Sequence, residues 1–427
     1  MTDLIIPLDS SQACNPDLVG PKAATLAILA RAGLPVPDGV CLTAHAYRMQ
    51  IAALGFEEAT RALQAASAFD TRRLSVAVRL GLYEGPMAPP IRQALHELWD
   101  AQAGRWGLVV VRSSALIEDR AKANFAGQFQ SFLGVGEEVE FLTAVRGCWA
   151  ALWSSHARRA LSGHGLDPGM TAMAVLVQPL IAARAAGGGL SRSADDQMVL
   201  NATWGLGSAI AQGDVVPDRI VLTRQGFVRK IEPGRKEHHS ACQHGSGELS
   251  APVPPEMVET PCLTPGQAVT LGRLLRRCED VLGMPVEIEW ALDDRSFILL
   301  QARPLTVAPV SVPDEIWAGH PGLSGHPAGI GWGSGRACVV NCECELSRVC
   351  PGDILVTRIA GPALAQMLAH VAGVVAERGG STSHLASLAR ERGIPMVLGV
   401  RDATRRIPDG AQVAVDGVAG LVRWVGR

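Results

Sequence analysis

The chain has no surplus of charge of either sign. Its 427 residues carry 39 Lys and Arg against 41 Asp and Glu, a formal net charge of −2 with 19% charged residues. No basic excess points to nucleic acid as a partner, and there is no acidic tail. Long apolar runs are missing too. The most apolar tract, Met173 to Ile181, is interrupted by Gln178 and Pro179 and is too short to span a bilayer. Met1-Thr-Asp-Leu-Ile-Ile-Pro7 lacks the cationic-then-apolar order of a leader, so a cytoplasmic protein without a membrane partner is expected. There is no internal repeat and no low-complexity segment. Paired Cys-x-x-Cys spacing is also lacking, although ten cysteines are present. Four fall close together, Cys338, Cys342, Cys344 and Cys350, and Cys338, Val340, Cys342 and Cys344 alternate like one face of a strand, which predicts buried reduced thiols rather than a zinc site. His238, His239, Cys242 and His244 lie in a polar stretch punctuated by Gly and Pro, and read as a solvated loop.

The length and a hydrophobic content of 48% suit a globular protein of two or three domains. Residues 304 to 330 carry spaced prolines and glycines with no sustained period, so they read as a semi-stiff linker. A large mixed α/β region precedes it, and a compact module of about 100 residues follows. In that module strands are expected at Asp353–Thr357, Gly373–Ala376, Met396–Gly399 and Gln412–Asp416, with helices after Pro362 and after Thr382.

Several segments of the large region have the marks of a nucleotide site. Gly20-Pro-Lys-Ala-Ala-Thr-Leu26 opens a helix that closes at Gly33, with Lys22 in its first turn, where an anion would relieve the clash with the helix dipole. Leu108–Val111 reads as a buried strand delivering Arg112 at its end, suited to a bidentate phosphate contact. Asn124–Gln130 is a Gly-containing loop, Met173–Gln178 a strand ending in an amide, and Thr203–Gly207 a tight turn. Thr264-Pro-Gly-Gln267 is a capping box for a helix with Ala268, Leu271, Leu274, Leu275, Cys278, Val281 and Leu282 on one face. Two strands follow, joined by a turn at Asp293-Asp294. The first puts Glu287 and Glu289 on one face, and the second does the same with Gln301 and Arg303. Carboxylate and amide oxygens together suit Mg²⁺, and a guanidinium beside them suits phosphate.

The single most informative stretch is Glu377–Gly399. A short apolar strand, Ala372–Ala376, leads through Gly379-Gly380 to a helix that Ser381 or Thr382 can cap. His384 sits at that helix start, near exposed backbone N–H groups. An imidazole there is a neutral-pH nucleophile in a place that favours anions, so a phosphoryl group could be carried on its nitrogen.

Eight ordered motifs resemble the pyruvate phosphate dikinase and phosphoenolpyruvate synthase family, which includes rifampin phosphotransferase. They are Gly20–Leu26, Val111-Arg-Ser-Ser-Ala115, Phe125-Ala-Gly-Gln-Phe129, Cys148-Trp-Ala-Ala-Leu-Trp153, Trp204-Gly-Leu-Gly207, Glu287-Ile-Glu-Trp290, Leu300-Gln-Ala-Arg-Pro304 and Gly379-Gly-Ser-Thr-Ser-His384. The resemblance implies an α/β and α+β chain: an ATP-grasp nucleotide-binding domain over 1–306, a linker over 307–322, and a small β/β/α swivelling phosphohistidine domain over 323–427. It implies that Lys22, Arg112 and Arg303 hold nucleotide phosphates, that Glu289 and Gln301 are Mg²⁺ ligands, and that Gln178 lies at the adenine strand. Gly127 and Gln128 would lie on the phosphate-covering loop, with His384 the phosphorylated histidine. The implied reaction is attack of that histidine on the β-phosphate of ATP, release of AMP, loss of the γ-phosphate, and transfer of the remaining phosphoryl group to a small-molecule acceptor.

Three departures from the family pattern bear on the acceptor. The sequence as read runs only a short way past the histidine domain, so no pyruvate-binding barrel is expected after it, and only the linker occupies the place of rifampin phosphotransferase's acceptor domain. Ala182–Gly189 replaces the family's hairpin after the adenine strand, which could alter the nucleotide lid. Three readings follow. The chain is a compact phosphotransferase acting on an antibiotic or natural-product intermediate; or the nucleotide and carrier half of a split phosphoenolpyruvate synthase, with a separate acceptor-binding subunit; or a non-catalytic ATP-binding regulator.

Overall fold

The computed structural model describes residues 3–61, 68–117, 129, 131–162, 166–243, 247–307 and 319–425. It is a mixed α/β chain that divides into two compact units interleaved in sequence. The first comprises Met1–Ile181, Cys242–Leu249 and Ile298–Arg303, and the second Ala182–Ala241, Ser250–Phe297 and Pro304–Arg427. Among the described residues, no helix is long and apolar enough to cross a membrane.

The first unit is built on an antiparallel sheet of β1 (Ile5–Pro7), β2 (Val40–Leu42), β3 (Val109–Ala115), β4 (Ser131–Val135) and β5 (Met173–Pro179), in the order β1-β2-β5-β3-β4. The apolar runs in β3 and β5 give the sheet its core, against which the helix Glu138–Ala151 buries Phe141, Val145 and Trp149. β3 does not stop before Arg112. Its pairing with β5 continues from Val109↔Pro179 to Ala115↔Met173, so Arg112 lies within the strand rather than at its end. The first long helix begins earlier than expected, at Pro16 with Asn15 as cap, and breaks at Gly20 (φ 75°, ψ 158°) before resuming through Lys22 to Arg31.

The second unit contains two sheets. One is antiparallel, formed by β6 (Ala185–Leu190), β7 (Met198–Trp204), β8 (Asp218–Leu222), β9 (Val228–Glu232) and, beyond β6, a later strand. β6 was not expected: Ala185–Gly189, which stands in place of the family's hairpin, lies in a fully buried strand. The polar stretch after Lys236 is likewise no loop. It forms β10 (His238–Gln243), which pairs with β11 (Gly247–Pro252). His244 lies outside the described residues. Among those described, no group of three or more His, Cys, Asp or Glu side chains is placed to hold a metal ion.

The later strand is β12 (Val286–Leu292), which pairs with β6. Ahead of it, the helix Pro265–Leu282 starts on the complete capping box of Thr264 and Gln267. Its apolar stripe ends sooner than expected, because Val281 is exposed. After β12 the backbone turns where Asp293 Oδ1 accepts from the N–H groups of Arg295 and Ser296, both at 2.7 Å. The chain then enters β13 (Phe297–Pro304), whose residues Ile298–Arg303 belong to the first unit.

The C-terminal module is an eight-stranded sheet of β14 (Gly322–Ser324), β15 (His326–Pro327), β16 (Trp332–Val340), β17 (Ile354–Ile359), β18 (Gly373–Arg378), β19 (Met396–Leu398), β20 (Gln412–Asp416) and β21 (Leu421–Trp424). Its order is β14-β21-β20-β16-β17-β18-β19-β15. The two end strands are consecutive in the chain and separated only by Gly325, so the sheet curls back on itself. Residues 322–327 are therefore strand rather than linker. Their partners β21 and β19 supply the hydrogen bonds that the local sequence does not advertise. The expected helix after Pro362 is wound as a 3₁₀ helix, Pro362–Ala369. Cys338 is buried, but the strand ends at Val340. Cys342 and Cys344 are exposed and joined in a disulfide, and Cys350 is exposed, so the expectation of buried reduced thiols fails for three of the four.

Two stability predictions follow from buried contacts. Lys236 and Asp218 are a fully buried ion pair, and Asp218 also accepts from Gly234 N at 2.8 Å and Cys262 N at 2.7 Å. Lys236→Ala leaves the carboxylate uncompensated and should cost about 3–5 kcal/mol in urea unfolding; a loss below about 1 kcal/mol would show the pair is not desolvated. A Cβ at Gly20 would lie 2.3 Å from both Ser114 O and Ser114 Oγ at a positive φ. Gly20→Ala should therefore lower stability by about 1–3 kcal/mol in the same assay, and an unchanged midpoint would contradict the kinked geometry.

Candidate functional site

In the first unit, four of the expected residues, Lys22, Arg112, Gln301 and Arg303, are held by the β3 region and β13. The break at Gly20 lays the helix start against β3. Ala23 N donates to Ser114 Oγ at 3.4 Å, and Lys22 Nζ donates to Ser113 O at 3.4 Å. Next to Ser113 in β3, Arg112 donates through Nη1 to Leu300 O at 2.5 Å and through Nη2 to Gln301 Oε1 at 2.7 Å. β13 is itself fixed in this unit by Leu299 N donating to Pro35 O at 2.8 Å. Gln301 and Arg303 are both buried on the same side of β13. Gln178 is buried in β5, where its Nε2 donates to Pro37 O at 3.2 Å. Gly127 and Gln128 lie outside the described residues.

Glu289 belongs to the second unit. It is the one residue of β12 that is not fully buried, and Glu287 lies on the same side of the strand. In the antiparallel register Glu289 faces Gly188 of β6, which faces Asn201 of β7. One polar face therefore runs across three strands through Glu289, Gly188 and Asn201, with Glu287 two residues along.

His384 comes to this face. Gly379 (φ 110°) makes the turn after β18, and Gly379 N donates to Val215 O at 3.0 Å. The cap of the next helix, His384–Arg392, is Ser383, whose Oγ accepts from Ala386 N at 3.3 Å, and neither Ser381 nor Thr382 fills that role. Those two hydroxyls turn outward instead. Ser381 Oγ donates to Asn201 Oδ1 at 2.7 Å, and Thr382 Oγ1 to the same oxygen at 3.2 Å. Asn201 is oriented for this by its Nδ2 donating to Asp218 O at 3.1 Å. A Cβ on Gly188 would lie 2.4 Å from Thr382 Cβ, so only glycine lets the loop approach this closely. Along the helix, Ser387 Oγ donates to Glu287 Oε2 at 2.7 Å and Arg390 Nη2 donates to it at 2.9 Å. His384 lies between these two anchor points in the chain, half-buried, at the first position of the helix.

Asn201, Ser387 and Arg390 were not among the residues expected to matter, while Glu287 was expected on the Glu289 face and Thr382 as a cap, without these partners. One sequence signal pointed to part of the set: His384, Ser387 and Arg390 recur at i, i+3 and i+6 on a helix otherwise rich in Leu and Ala, a polar stripe that needs a polar surface opposite.

A family model described as the pyruvate phosphate dikinase AMP/ATP-binding domain matches residues 16–317, and one described as the mobile domain of PEP-utilising enzymes matches residues 349–420. The chain is 32% identical to a phosphoenolpyruvate synthase of Aeropyrum pernix, across 98% of this chain and 58% of that one. It is 29% identical to a phosphoenolpyruvate synthase of Pyrococcus furiosus, across 95% of this chain and 56% of that one. It thus spans less than two thirds of the length of these relatives. Most of its residues fall under the first of the two family models, and the chain belongs to the pyruvate phosphate dikinase and phosphoenolpyruvate synthase family.

Proposed function

We propose that this chain moves a phosphoryl group from ATP onto His384 and from there to a small carboxylate-bearing acceptor, pyruvate in the first instance. A ring nitrogen of His384 forms a bond to the β-phosphorus, the bond between that phosphorus and the α–β bridging oxygen breaks, and AMP leaves with the oxygen. The γ-phosphate then departs to water as inorganic phosphate, and the phosphoryl group left on nitrogen passes to the acceptor. Lys22, Arg112 and Arg303 neutralise the phosphates, and Gln178 serves the adenine end. Gly127 and Gln128 are assigned to the covering loop by their motif alone. Catalysis of this kind is mainly positioning and charge neutralisation.

Glu289 and Gln301 are assigned as magnesium ligands by their motifs: Glu289 offers a carboxylate that its strand leaves partly accessible, and Gln301 an amide oxygen. The ion, when bound, would supply charge neutralisation for the transferring group. We assign a nucleotide-binding part of the ATP-grasp kind to residues 1–306 and a swivelling carrier to residues 323–427, joined over 307–322.

The observation that carries this reading is the seat of His384. Contacts to the face that bears Glu289 on both sides of this helix-start imidazole support loading over packing. Relatives named phosphoenolpyruvate synthase favour pyruvate over an antibiotic or natural-product acceptor. A non-catalytic regulator would have no use for a half-buried imidazole in that position.

Incubation with β-labelled ATP and Mg²⁺ should give acid-labile label on the wild-type chain and none on His384→Ala. Glu289→Ala should slow labelling by on the order of a hundredfold or more. An unlabelled wild type would favour the regulator, and a labelled His384→Ala would refute the carrier. AMP release on adding pyruvate, compared with other acceptors, tests the second step.

A further inference from the structure

We propose that Glu287 and Arg390 form a positioning latch that seats His384 for loading, so that the two carboxylates on one face of β12 have different tasks. This rests on the phosphohistidine reading above. Glu287 is buried and its Oε2 is taken by Ser387 and Arg390, whereas Glu289 stays partly accessible. Arg390 is buried as well. Its Nη1 donates to Ala328 O at 3.2 Å and to Ser381 O, while its Nη2 reaches Glu287 and, at 2.9 Å, Ser387 Oγ. One guanidinium thereby ties β12, the segment before β16 and the loop carrying His384 into a single geometry, a task for a planar fork with five donors rather than for an ammonium. A buried charge pair is costly unless both partners are present, so docking of the helix onto β12 is all-or-none at this point. The polar stripe of His384, Ser387 and Arg390 sets the imidazole at one end of the helix while Arg390 grips the other. Arg390 is thus a positioning residue, acting through His384.

Single-turnover labelling of the full chain with β-labelled ATP tests this, read as the rate at saturating ATP and the ATP concentration giving half that rate. Arg390→Ala and Glu287→Gln should label about tenfold to a hundredfold more slowly, with half-saturation changed by less than about twofold. Arg390→Lys should recover part of the rate. Gly188→Ala leaves both charges in place but puts a methyl group into Thr382, and it should reproduce the slow rate at unchanged half-saturation. It decides the matter if Arg390→Ala does not fold. Wild-type rates in Glu287→Gln and in whichever of Arg390→Ala or Gly188→Ala is folded overturn the latch. So does a loss confined to half-saturation, which would make Glu287 a nucleotide ligand. A wild type that takes no label sinks the parent reading instead, and a labelled wild type with indifferent variants sinks the latch alone.

Discussion

The buried contact between Arg390 and Glu287 constrains everything around it. A carboxylate and a guanidinium taken out of water together are tolerable; either one left alone costs about 3–5 kcal/mol. The C-terminal module meets the sheet beneath it through polar groups as well: hydroxyls on Asn201, the partly exposed Arg378–Glu237 pair at 2.9 Å, and the buried Glu287 cluster. Its two apolar clusters, one including Leu355, Leu385 and Met396 and the other Val356, Val397 and Val422, draw only on the module's own residues. Each hydrogen bond exchanged for water changes stability by only about 0.5–1.5 kcal/mol. A junction built this way specifies one docked geometry through polar contacts rather than through a shared apolar core.

The same junction accounts for a strand that looks unsuitable. Three consecutive glycines in β6 forgo strand propensity and side-chain packing. The strand persists because β12 and β7 flank it on both sides and Trp290 Nε1 donates to Gly188 O at 3.1 Å. Its two faces use the missing side chains differently. At Gly189 a Cβ would meet Leu275, Leu200 and Ile288 at 3.1–3.3 Å, so the glycine admits the helix Pro265–Leu282 on one side. Gly188, facing the other way, admits Thr382. Strand propensity is given up in return for two close approaches, and the second brings His384 to the carboxylate face.

Signals carried within a few residues were legible in the sequence. The capping box at Thr264, the period-two placement of Glu287 with Glu289, the strands near 354, 373, 396 and 412, and the histidine at a helix start all come from local periodicity and capping chemistry. What escaped depends on partners far away in the chain. β14 and β15 are two or three residues long and rich in Gly, His and Pro, and they are strands only because β21 and β19 hold them. Arg112 lies inside β3 because β5 keeps pairing past it. Ser383 takes the cap because Asn201 engages Ser381 and Thr382. The Cys338–Cys344 alternation reads as a strand until the chain turns at Asn341, whose N–H donates to Glu345 at 2.8 Å, and the last two cysteines leave the sheet. The anchors of the His384 helix belonged to this second class, since nothing near Glu287 in sequence announces Arg390.

This division also explains why the first half of the proposed chemistry is easier to read than the second. Loading His384 requires cations for phosphate, a carboxylate face and a nucleophile seated on it, and those are polar groups whose burial demands partners that can be named one by one. Choosing an acceptor makes a weaker demand on this chain. A carrier that leaves its seat meets the acceptor wherever the acceptor is bound, and the interactions that discriminate pyruvate from another molecule belong to that surface. The buried polar network around His384 is consumed by docking, with Asn201, Glu287 and Arg390 each already committed. Acceptor identity therefore enters through the relatives' names, while the loading step rests on the residues themselves, and the two halves can stand or fall separately.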